Sequence, residues 1–79
     1  MYTVKSTSDE GIHYLVNGWN KHNTFWIEPE KCKRDMLFKK SCDAKRSLTK
    51  LLKIMPEYRT DSFMLVEIIA GMEFPLHAL

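Results

Sequence analysis

Between Lys31 and Lys53 the chain carries nine basic side chains: Lys31, Lys33, Arg34, Lys39, Lys40, Lys45, Arg46, Lys50 and Lys53. Only Asp35 and Asp43 oppose them, nine against two, a balance of +7. Elsewhere three basic residues face eight acidic ones, a balance of −5, so the net charge of +2 conceals a dipolar distribution. Lysine and arginine at this density are suited to one kind of chemistry. They neutralise phosphates and release the counterions condensed around a nucleic acid. An acidic protein surface is the other partner they fit, steered by the same field. A solvated face kept basic for solubility uses the same residues, so binding requires in addition that the cations gather on one surface.

Other chemistries find less support. A metal site needs clustered donors, but Cys32 and Cys42 stand ten residues apart, with no Cys-x-x-Cys and no His-x-x-x-His. His13, His22 and His77 are scattered. The two cysteines read as reduced, metal-free structural thiols, buried or half-buried. His22, between Lys21 and Asn23, is the one candidate acid–base group, since a histidine beside a cation can assist RNA cleavage. A solvated loop histidine fits that position better. There is no glycine-rich phosphate loop and no Gly-x-Ser-x-Gly. The expectation is a protein that is not an enzyme and holds no metal or cofactor. Most aromatic residues are needed to fill the core of a chain of 79 residues. Trp19 and Trp26, beside a polar stretch, are the candidates for a ring that stacks on a base or anchors a protein partner.

Among the elements that hold these residues, the strongest runs from Ser41 to Pro56. Ala44, Leu48, Leu51, Leu52 and Met55 recur with the spacing of one helical stripe. Ser41 is placed to cap the start, Asp43 lies where the helix dipole favours a carboxylate, and Pro56 stops the run. At roughly 100° per residue, Lys45, Arg46, Lys50 and Lys53 fall within an arc of about 140° opposite the leucines. The helix thus turns one side to the core and offers a cationic strip on the other. Lys39 and Lys40 just before it, and Lys33 and Arg34 further upstream, complete the candidate binding set.

The rest reads mainly as strands. Tyr2 to Ser6 alternates with period two, residues 7–11 form a turn, and Ile12 to Val16 is a second strand antiparallel to the first. Asn17-Gly18 favours a tight hairpin turn that would bring Trp19 back against Val16. Residues 19–27 form either one bulged strand or a wide loop and a short strand. Glu28 to Asp35 holds one helical turn with Cys32 inward, and Met36 to Phe38 reaches the core or adds an edge strand. Phe63 to Ile69 is a central or well-covered strand. In the last ten residues Gly71 and Pro75 argue against regular structure, yet Met72, Phe74, Leu76 and Leu79 are too apolar for a solvated tail. Docking on the sheet, packing on a second copy and disorder are all open.

This pattern resembles, in general style, small phage-encoded modulator proteins. In these a β-hairpin is followed by a segment like Phe38-Lys39-Lys40-Ser41-Cys42-Asp43-Ala44-Lys45-Arg46, a helix and a closing strand. The resemblance covers residues 2–69, rests on pattern rather than motif, and carries no activity or site residues with it.

The expected fold is α+β: an antiparallel sheet of three to five strands with one amphipathic helix packed on a face, in the order β-β-β-(β)-α-β. Residues 1–69 form the domain and 70–79 an apolar tail, docked or disordered. The expected function is a non-enzymatic binding module whose basic surface engages nucleic acid, RNA ahead of DNA. The alternative is a phage-encoded inhibitor that blocks a host enzyme or defence protein. No apolar run approaches the roughly 18 residues of a membrane span, and the opening Met1-Tyr2-Thr3-Val4-Lys5 lacks a signal-peptide core, so no membrane partner and a cytoplasmic location are expected. A homodimer through the C-terminal tail is the remaining partner.

Overall fold

A computed structural model describes residues 1–17, 24–56 and 62–79. The candidates Trp19 and His22, the Gly18 turn residue and the link after Pro56 lie outside the described residues. Five strands form one antiparallel sheet: β1 (Tyr2–Ser8), β2 (Gly11–Asn17), β3 (Thr24–Ile27), β4 (Ser62–Ile69) and β5 (Met72–Ala78), in the order β3-β2-β1-β4-β5. Two short 3-10 turns, Pro29–Lys31 and Arg34–Met36, follow β3 and lead into one helix, α1 (Ser41–Ile54). The fold is α+β, with α1 packed against β1 and β4.

The period-two pattern of the strands explains how the core assembles. Val4 pairs with Leu15 on one side and Leu65 on the other, and Leu15 pairs with Trp26, so one row of large side chains crosses the front of the sheet. Val4, Leu15, Phe38, Phe63 and Leu65 meet Ala44 and Leu48 of the helix, with Tyr2, Trp26, Leu51 and Leu52 packed around them. Burial of this set against the leucine stripe is what holds the helix in place.

Three local expectations need correction. Lys40, not Ser41, occupies the cap position, and it forms no side-chain cap bond. The chain is extended through Lys40 because Phe38 is pinned to β1 by two backbone bonds with Tyr2, so Ser41 is already helical. Met36 to Phe38 reaches the core, the first of its two expected placements: Leu37 and Phe38 are buried, and a single bridge to Tyr2 stands in place of an edge strand. Met55 does not extend the buried stripe: it has left helical geometry ahead of Pro56 and is exposed. Val16 pairs with Phe25 rather than turning tightly back at Asn17, a register that brings Trp26 opposite Leu15 and into the core.

The last residues form a regular strand in spite of Gly71 and Pro75. Ala70 and Gly71 both have positive φ, 53° and 78°, as a primed hairpin turn between β4 and β5 requires. Gly71 serves that turn without strain, while Ala70 adopts a conformation that a side chain disfavours. Pro75 is tolerated because of where its nitrogen points. The Ile68 N–H donates to Met1 on the β1 side, so by alternation the backbone of Glu67 and Ile69 faces β5. Their partners Phe74 and Met72 face back, and Glu73 and Pro75 face the open edge, where a missing N–H breaks no ladder bond. A register shift between Leu65 and Val66 then lets the strand continue to Ala78.

The back of the sheet is covered too. Thr3, Tyr14, Val16 and Val66 are buried there, and the first 3-10 turn packs against β2. The Thr3 hydroxyl donates to the Leu15 carbonyl at 2.9 Å, satisfying a fully buried polar group.

Candidate nucleic-acid interface

None of the nine basic residues of the 31–53 segment is withdrawn into the core: Lys31, Lys33, Arg34, Lys39, Lys40, Lys45, Arg46, Lys50 and Lys53 are each exposed. The helix dictates how four of them group. Its buried side is fixed by Ala44 and Leu48, with Leu51 and Leu52 half-buried beside them, so Lys45, Arg46, Lys50 and Lys53 project away from the sheet. Lys39 and Lys40 enter from the extended segment ahead of it, adding two more cations at the helix start.

Few of these charges are neutralised internally. Arg46 lies 3.9 Å from Asp43, and Lys31 lies 3.4 Å from Glu28, both pairs being well exposed. Exposed pairs of this kind are worth about 0–1 kcal/mol and yield readily to another anion. Lys39, Lys40, Lys45, Lys50 and Lys53 form no ion pair with another described residue. Lys53 suits the negative end of the helix dipole, whereas Lys40 stands at the positive end, where a cation is disfavoured by a few tenths of a kcal/mol. An anion arriving there would relieve that repulsion.

The fold does not bring the whole candidate set together. Arg34 lines a cleft of about 920 Å³ shared with Tyr14, Cys32 and Glu73. Tyr14 and Glu73 belong to the back of the sheet, opposite the helix, so Arg34 is separated from the helix strip. Trp26 is half-buried, with its ring stacked on Phe63 at a centroid distance of 5.8 Å and an interplanar angle of 12°. Cys32 is half-buried, and burial, aided by Asp35, pushes its thiol above the ordinary range. Cys42 is exposed on the helix rather than buried as a structural thiol, because its position falls outside the leucine stripe. Both cysteines are free thiols, and no group of three or more metal-binding side chains occurs among the described residues. No described helix is long and apolar enough to cross a membrane.

Sequence reasoning missed the polar cluster on the back of the sheet. Glu73 of β5 accepts hydrogen bonds from the Tyr14 hydroxyl of β2 and from Lys5 Nζ of β1, the latter at 2.9 Å. Three strand spacings of about 4.8 Å separate β2 from β5, so Tyr14 and Glu73 lean across β1 and β4 to meet. Burial and then the Glu73 contact push the Tyr14 hydroxyl well above its ordinary range. The Tyr14 bond, with Lys5 helping and burial opposing, holds the Glu73 carboxyl below its ordinary value. The only hint in the sequence is that Glu73 is the one formal charge among the side chains of residues 70–79.

Comparison with protein-family models, curated proteins and solved structures finds no match for the chain.

Proposed function

We propose that this protein is a non-enzymatic binding module whose cationic helix face engages nucleic acid through its phosphates. The observation that carries the reading is the run of exposed, largely unpaired cations at Lys39, Lys40, Lys45, Arg46, Lys50 and Lys53 around a helix whose opposite side is committed to the core. Such a surface makes contacts that position a backbone rather than read a sequence. The helix carries no Asn or Gln, the side chains that recognise adenine in the major groove. It also has no second helix beside it, among the described residues, to form a helix-turn-helix. These features support a reading in which single-stranded or irregular RNA comes ahead of duplex DNA.

The test is fluorescence anisotropy with labelled RNA and duplex DNA, comparing the parent with a Lys45→Glu, Arg46→Glu, Lys50→Glu, Lys53→Glu variant. All four side chains are exposed, so circular dichroism should show an unchanged fold while RNA affinity falls by about tenfold or more. A parent that binds neither nucleic acid overturns the reading. If that parent instead captures a protein from nuclease-treated lysate and the variant does not, the basic face serves an acidic protein surface, as an inhibitor of a host protein would.

A further inference from the structure

The outer hairpin of the sheet leaves an apolar surface uncovered. On the helix side, alternation places Ile69, Met72, Phe74, His77 and the Leu79 position on one face, in line with Leu65 and Glu67. The helix packs on β1 and β4, and every residue of β5 is exposed. Met72 is 62% exposed, Ile69 50%, Leu79 44% and Phe74 43%. We propose that this face of the β4–β5 hairpin is the contact of a reversible homodimer, in which a second copy of the chain packs its own β5 face against it.

Charge favours a second copy over other occupants. A two-fold contact sets each patch against itself, so a charged patch would meet its own sign. The side chains that β5 turns to this face, Met72, Phe74, His77 and Leu79, carry no formal charge at neutral pH. The one charged side chain of the strand, Glu73, is turned to the back and held there by Lys5 and Tyr14. Glu67 lies one strand further in and is half-buried. The β5 side chains of this face therefore bring no like charges together across a two-fold axis.

Area sets the strength. Taking roughly 200 Å² for a large side chain, the exposed parts of these four apolar residues come to roughly 400 Å². That is within the range of the largest patch of an ordinary monomer, a patch that often has a function. Two copies come to roughly 800 Å², the size of a weak, transient contact and far from the 2,000 Å² or more of obligate dimers. Pro75 fixes the mode. It removes an outward N–H from the open edge, so continuous strand-to-strand pairing is interrupted and the contact uses the side-chain face.

Sedimentation velocity across a concentration series tests this. The parent should pass reversibly from monomer to dimer below about 1 mM. Phe74→Glu and Met72→Glu should each shift the midpoint upward by about tenfold or more, because two carboxylates then oppose across the axis. The unmutated protein supplies an independent reading: on dilution, methyl NMR signals of Ile69, Met72 and Leu79 should move while those of Val4 and Leu48 stay fixed. A parent that remains monomeric to about 1 mM overturns the proposal. So does a folded variant that dimerises as the parent does, or a dilution response confined to other residues.

Discussion

Glu73→Ala tests how the back of the sheet is held. In the parent the Glu73 carboxylate receives the Tyr14 hydroxyl, from a residue only 7% exposed, and the Lys5 ammonium at 2.9 Å. A hydrogen bond to a charged acceptor contributes about 1.5–3 kcal/mol, and removing the carboxylate takes that acceptor from a part-buried hydroxyl. The Lys5 and Glu73 side chains are 26% and 32% exposed, so screening limits their ion pair to about 0.5–1 kcal/mol. The variant should lose about 2–4 kcal/mol, a large part of the 5–15 kcal/mol typical of a domain. For a domain of this size that is a drop in Tm of roughly 10–25 °C by calorimetry. Tyr14→Phe should cost less, and a double-mutant cycle should show coupling of about 1–2 kcal/mol. The pH dependence has a definite sign. The folded Glu73 carboxyl lies below its ordinary value of 4.5, so its contribution is complete above pH 4.5 and is lost as pH falls through the lower, folded value. Glu73→Ala should flatten that acid-side loss. A Tm within about 2 °C of the parent, with no coupling to Tyr14, would refute the bridge as a stabilising contact.

Three further outcomes follow from the packing. Leu48→Ala, at a buried helix position, should destabilise by about 2–5 kcal/mol in denaturant titration and more than Leu51→Ala or Leu52→Ala, whose side chains are half-buried; equal losses would contradict the helix orientation. Cys42 should react with a maleimide faster than Cys32, since Cys42 is exposed while Cys32 is half-buried and burial holds its thiol above the ordinary range; peptide mass mapping of a partial reaction would show the order. Pro75→Val restores a donor on the open edge of β5, and light scattering should report more aggregation than in the parent; equal solubility would mean that Pro75 does not guard the edge.

Signals local to a few residues were legible in the sequence. The period-two runs around Val4 and Leu15, and the 3.6-residue stripe of Ala44, Leu48, Leu51 and Leu52, state which face each element buries. The α+β class and the outward direction of Lys45, Arg46, Lys50 and Lys53 follow from these local patterns alone. Features that depend on the partner strand do not. Pro75 looks like a breaker until pairing with β4 shows its nitrogen on the open side, and Gly71 looks like one until it completes a turn with Ala70. Ser41 has the chemistry of a cap, but the Tyr2–Phe38 bridge decides where the extended chain ends. Glu73 and Lys5 are 68 residues apart in sequence, and only the strand order makes them neighbours. The same strand-level geometry separates Arg34 from the helix cations, although they share one basic segment.

The central proposal is that the helix face binds phosphates, and the salt dependence of RNA affinity tests it most directly. Each neutralised phosphate of a single strand contributes about −0.7 to the slope of log K against log salt. Contacts from Lys45, Arg46, Lys50 and Lys53, with or without Lys39 and Lys40, predict a parent slope of roughly −3 to −4. Reversing the four helix charges should remove most of that slope along with most of the affinity, while circular dichroism shows the fold intact. A parent affinity that is unchanged across the salt series, or a variant that keeps the parent's slope, would contradict the proposal.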